Sequence, residues 1–149
     1  GYLMHQDNEA LLKEIHKAAA SGLGAIETVL PKVKDSSLKN HIEEQGVCYQ
    51  QLLTRSEKLL QKAGALPEKN PPLQKAMMWG AIQMETLADA SSEHIAEMMI
   101  NGSTMGVVEM TKQLHRLPEA SSGARHLAED FLSGEQRHID RMKEHLRHG

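Results

Sequence analysis

The stretch SSLKNHIEEQGVCYQQLLTRSEKLLQKAG, residues 36–64, decides the fold class. Its apolar residues Leu38, Ile42, Tyr49, Leu52, Leu53, Leu59, Leu60 and Ala63 recur mostly at steps of three, four and seven. At about 100° per residue these steps gather them on one side of an α-helix, where a strand would alternate them between two faces. Ser36 or Ser37 can cap the start with a hydroxyl, and Gly64 suits the left-handed position that closes a helix. A helix over 36–63 would be roughly 42 Å long, and its apolar side requires partners of similar length.

The flanking segments supply such partners. Residues 4–33 place Leu11, Leu12, Ile15, Ala19, Ile26, Val29 and Val33 at helical steps before Pro31 and the Lys-Asp-Ser-Ser run at 34–37, and Asp7 or Asn8 could cap a later start. After Gly64-Ala-Leu-Pro67 and Asn70-Pro-Pro72 the pattern predicts a third helix over 72–100, carrying Leu73, Met77, Met84, Leu87, Ile95 and Met98 and ended by Asn101-Gly102. A shorter helix over 103–117, with Met105, Val108, Leu114 and Leu117, then follows a Ser103 cap. Beyond Pro118-Glu-Ala-Ser-Ser122 comes the last long helix, 119–147, with Leu127, Phe131, Leu132, Ile139, Met142 and Leu146. Four helices of near-equal length with short connections predict one all-α domain over 1–149, an up-down-up-down four-helix bundle with a short extra helix before the last long one. A single helix running through residue 117 would overhang its neighbours by more than about 20 Å and is the alternative.

Composition agrees and narrows the function. Aromatics are 3% of the 149 residues against 18 Leu, 15 Ala and 9 Met, a balance suited to aliphatic helix packing. A formal charge of -3 with neither sign in a block argues against nucleic acid, and no apolar run approaches the roughly 20 residues of a membrane span. The single Cys48 excludes an internal disulfide and any cysteine-pair metal motif; with no leader recognised, it is read as pointing to the cytoplasm. No P-loop, Gly-x-Gly-x-x-Gly or Gly-x-Ser-x-Gly elbow is present.

Chemistry is therefore sought among polar residues that fall inside an apolar stripe. In the last helix the arc of Leu127, Phe131, Leu132, Ile139, Met142 and Leu146 centres on Glu135, with His138 about 60° to one side. A carboxylate aimed at a core must meet a metal, a cation or hydrogen-bond donors, because uncompensated it costs several kcal/mol. Gln45 and Ser56 lie near mid-stripe in 36–63, and Gln45 or Ser91 are the donors expected if Glu135 is simply satisfied. Glu85 and His16 fall at stripe edges, but both lie within about one turn of the mid-bundle level of Glu135 and His138. These four are the candidate ligands. Glu27, His41 and Glu44 form a weaker group near the hairpin end.

Glu135-Gln-Arg-His138 is one Glu-x-x-His pair, and here the chain resembles the ferritin-like superfamily. The resemblance implies a four-helix bundle and, in active members, two iron or manganese ions. Helix 36–63 offers only the reversed order His41-x-x-Glu44, so a second copy of the motif is missing. Two carboxylates and two imidazoles would suit one iron, zinc or manganese ion, where a di-iron oxidase needs about four carboxylates. Two functions stay open: a bundle without a complete di-iron centre acting by self-association, as a homodimer, or by partner binding, and a metal-binding protein doing iron handling or oxygen chemistry. The first draws on Trp79, Ile82 and Ile100, which fall off the main stripe of their segment; the methionines serve either as core filling or as an adaptable binding surface.

Overall fold

The computed structural model describes residues 1–67, 80–86 and 88–146. Four long helices carry the chain: α1 (Tyr2–Val29), α2 (Ser36–Lys62), α3 (Ser92–Arg116) and α4 (Ser122–Lys143). Residues 80–86 are also helical, and 3-10 turns at Leu30–Lys32 and Glu144–Leu146 follow α1 and α4. Among the described residues there is no strand. The expected helix start near Pro72, and Leu73, Met77, Met78, Trp79, Leu87 and His148, lie outside them.

Local chemistry accounts for the ends. At α2 the cap is Asp35, ahead of the expected serines: its Oδ1 accepts from the backbone N–H of Leu38 at 2.8 Å. The far end follows the sequence reading, since Gly64 adopts φ +74° and the N–H of Ala65 returns to the carbonyl of Leu60 at 2.9 Å. Helix α1 begins at Tyr2, so Asp7 and Asn8 do not cap it. They hold the α3–α4 connection instead: Asp7 Oδ2 accepts from the N–H of Glu119 at 2.9 Å, and Ser121 Oγ donates to Asn8 Oδ1.

The largest departure concerns the third segment. The helix expected over 72–100 does not end at Asn101-Gly102, and no separate helix runs over 103–117; α3 passes unbroken through both. The break lies upstream, at 89–91. Asp89 Oδ1 accepts from the N–H of Ser91 at 2.9 Å, and Ser91 Oγ accepts from the N–H of His94 at 3.2 Å, so a new helix nucleates there. These donors also hold the Asp89 carboxyl below its usual range, the Ser91 backbone first and its hydroxyl second. Gly102 costs an exposed helix only about 1 kcal/mol, less than its neighbours gain by continuing. The last helix begins three residues later than expected, at Ser122, with Ser121 as its cap and α-helix to Lys143.

Helix α1 packs on α2, α2 on α4, α4 on α3 and α3 on α1, with α1 and α4 also in contact. The shared core is drawn largely from the predicted stripes: Leu11, Leu12 and Ile15 from α1, Leu38, Ile42 and Leu60 from α2, Ile95 from α3, and Leu127, Phe131 and Met142 from α4 are all buried, joined by Ala96, whereas the stripe residues Met84, Met105 and Val108 are exposed. Each large aliphatic side chain buried there stabilises by about 1.5–3 kcal/mol. Residues 80–86 are tied to the end of α1, where Lys32 Nζ donates to Gln83 and, at 2.7 Å, to the buried hydroxyl of Thr86.

Candidate functional site

Glu135 is 3% exposed and His138 4% exposed, on the core face of α4 between Phe131 and Met142. The helical phase of the sequence placed both inward, and so they are. What surrounds them comes from three other helices. Tyr49 of α2 donates its hydroxyl to Glu135 Oε1 at 2.7 Å. One turn earlier, Gln45 gives its Nε2 both to the Tyr49 hydroxyl at 2.8 Å and to Ser103 Oγ of α3 at 3.2 Å. His138 Nδ1 stands 3.5 Å from Glu135 Oε1, and its ring meets that of Tyr49 edge-on at 6.2 Å. Gln45, Tyr49, Ser103, Glu135 and His138 are thus a buried polar crossing through an aliphatic core.

Two glycines make room for it. A Cβ on Gly22 of α1 would lie 2.5 Å from the Tyr49 ring, so the ring rests directly on the α1 backbone. A Cβ on Gly106 of α3 would lie 3.3 Å from Glu135 Oε2 and from Phe131, which gives the second carboxylate oxygen its space. The electrostatics follow from this enclosure. Burial pushes the Tyr49 hydroxyl well above its ordinary value, and the Glu135 charge and hydrogen bond push it further. Tyr49 is therefore held as a donor, and Glu135 keeps one satisfied oxygen. His138 Nδ1 and Gln45 Oε1 have no hydrogen-bond partner among the described residues.

The crossing is reached from two sides. A small cavity of about 170 Å³ between α2 and α4 is lined by Cys48, Arg55, Asp130, Arg137 and His138. A larger groove of about 610 Å³ opens between α1, residues 80–86 and α3, where Met98, Met99, Met105 and Ile82 form walls and Gln45, Ser103 and Glu135 lie at its floor. Tyr49, Phe131 and Glu135 line both spaces and stand between them.

Of the four ligand candidates, the structure brings Glu135 and His138 together. Glu85 is exposed and lines the same groove as Glu135. His16 is elsewhere: its Nε2 meets Glu57 Oε1 of α2 at 3.1 Å. Among the described residues no group of three or more His, Cys, Asp or Glu could hold a metal ion, so the residues present do not fit a di-metal carboxylate centre. The hairpin-end group is dispersed into pairs, Glu44 with Arg141 and His41 with His145 at 2.8 Å, while Glu27 is exposed. Ser91, a donor expected for Glu135, is spent as the α3 cap.

Two members of the crossing escaped the sequence. Tyr49 reads as one apolar residue of its stripe, yet a buried phenol must find a partner for its hydroxyl, and that requirement is the signal that could have found it. Ser103 reads as a helix cap, and only the continuity of α3 makes it a buried mid-helix hydroxyl.

The fold and site define an all-α protein with a buried carboxylate beneath an apolar groove. No family model matches the chain, and no curated protein matches it. Among solved structures it is similar to the crystal structure of a DUF305 fragment from Deinococcus radiodurans, with a TM-score of 0.74 and 14% identity over 94% of this chain and 95% of that one. The likeness extends to the fold.

Proposed function

We propose that this chain is a helical binding protein that holds an apolar ligand in the groove between α1, residues 80–86 and α3. The observation that carries this reading is the groove itself. At about 610 Å³, with a mostly apolar lining that descends to a few convergent polar groups, it has the size and character of a small-molecule site. The four long helices, packed in the order α1, α2, α4, α3 around a common core with α1 and α4 also in contact, are read as a ferritin-like up-down-up-down bundle.

Gly102 provides the test, because it lines the groove and a Cβ there would meet no atom of the described residues within 4 Å. Gly102→Phe would fill the space without disturbing the described core. A neutral solvatochromic dye such as Nile red should bind the wild-type chain saturably, about one per chain, and this binding should vanish in Gly102→Phe with no loss of thermal stability. Absence of saturable binding to the wild type would end the reading.

A second reading, metal binding at Glu135 and His138, draws on the unpartnered His138 Nδ1 beside a buried carboxylate. Mass-spectrometric metal content of protein incubated with ferrous iron, zinc or manganese decides it. About one ion per chain, lost in Glu135→Ala, supports a site; no ion in any condition removes it.

A further inference from the structure

We propose that the groove is selective for a small organic ammonium ion with an aliphatic tail, its nitrogen at the Glu135–Gln45 floor and its tail along the methionines of α3. The inference rests on the reading of the groove as a ligand site and assigns that ligand its chemical class. The floor presents acceptors that lack donors. Glu135 Oε1 takes the Tyr49 hydroxyl, but Oε2, on the Gly106 side, accepts no hydrogen bond among the described residues. Gln45 is 1% exposed, commits its Nε2 to Tyr49 and Ser103, and leaves Oε1 without a donor.

Charge selects among ligands in the same sense. The charged residues lining the groove are Glu135 and Glu85, and no Lys, Arg or His is among its described lining residues. A ligand carboxylate at the floor would bring a second negative charge against the buried Glu135, in a groove whose other charged lining residue is also acidic, which is disfavoured. A neutral alcohol offers a single donor and brings no positive charge to Glu135, whose Oε1 has His138 Nδ1 at 3.5 Å while Oε2 faces no basic group among the described lining residues of the groove. A primary ammonium supplies three N–H donors and a positive charge, and a charge-assisted N–H···O bond is about twice as strong as a neutral one. Along the tail, Met98, Met99 and Met105 offer unbranched, polarisable side chains that adjust to an alkyl chain of irregular position.

Octylammonium, octanol and octanoate share one tail and differ in the head, so isothermal titration of the three against the full chain at pH 7 separates the questions. Octylammonium is expected to bind one per chain at least about tenfold tighter than octanol, with octanoate showing no binding and the Met98, Met99 and Met105 methyl resonances shifting with the ammonium. Glu135→Gln should reduce octylammonium to the affinity of octanol. Gly106→Val, which sets methyl groups against Oε2, should do the same and serves if Glu135→Gln fails to fold by circular dichroism. Equal binding of octylammonium and octanol to the wild type overturns the ammonium assignment while the groove stands. Undiminished ammonium binding in both variants also overturns it, and failure of all three probes to bind removes the groove reading itself.

Discussion

Helices α2 and α4 meet through polar side chains both at the surface and in the core, and the two kinds of meeting differ. At the surface, Arg55 pairs with Asp130 at 2.8 Å, both side chains about half exposed at 51% and 54%. In the core, Tyr49 meets Glu135 at 2.7 Å, with both residues at 5% or less. The distances are nearly equal, yet the physical worth is not. Water competes for the surface pair and salt screens it, so it contributes at most about 1 kcal/mol. In the core, removal of one partner leaves the other buried and unpaired, which costs about 1–3 kcal/mol and more when a charge is involved. Position relative to the apolar stripe, and not the formal charge, sets what a polar contact is worth here.

The sharpest way to break this contrast is from the α1 side. Gly22→Leu should displace the Tyr49 ring, destabilising by about 3 kcal/mol through overpacking and loss of the Glu135 contact, as measured by urea unfolding. Tyr49→Phe removes the hydroxyl that donates to Glu135 and accepts from Gln45 and should cost about 2 kcal/mol; combined with Glu135→Gln in a double-mutant cycle it should show coupling of about 1 kcal/mol or more. An additive cycle would mean that the crossing is no stronger than the surface pair.

The same contact predicts a pH dependence whose sign follows from the raised Tyr49 value. The unfolded phenol ionises near its ordinary value of 10.0, while the folded one retains its proton to higher pH. The folded state then binds more protons, so stability falls as pH rises above about 10, and the contribution is intact below that point. In a 295 nm absorbance titration Tyr49 should ionise only with unfolding. Ionisation of Tyr49 in folded protein, read in a Tyr2→Phe background, would contradict its enclosure.

Smaller effects complete the comparison. Gly102→Ala, on the exposed side of α3, should stabilise by about 0.5–1 kcal/mol through helix propensity alone. Arg55→Ala should cost less than about 0.5 kcal/mol, an amount that disappears in molar salt. A larger, salt-independent loss would show that the surface pair is tied into the core.

Much of this was legible along the chain, for reasons that residue spacing can carry. Periodicity near 3.6 forces one face of 36–63 and of the last helix inward, so Leu38, Ile42, Leu127 and Phe131 were read as core, and Glu135 and His138 as buried, from phase alone. Gly64 at the end of α2 was legible because only a local backbone conformation is at stake. The division of the third segment was not. Asn101-Gly102 and Asp89-Ala90-Ser91 are both plausible punctuation, and the choice depends on whether an exposed glycine costs more than the packing that a continuous α3 preserves.

The sequence by itself determined that the chain is helical, which face of each long helix seeks the core, and that a carboxylate at 135 is carried into it. Tertiary structure decided what that carboxylate meets. Tyr49 reaches it rather than His16, and Gly22 and Gly106 clear the space, because these contacts join α1, α2, α3 and α4 across separations of 27 to 86 residues. Phase within one helix says which way a side chain points; only the rotation and height of the neighbouring helices say which side chain stands opposite it.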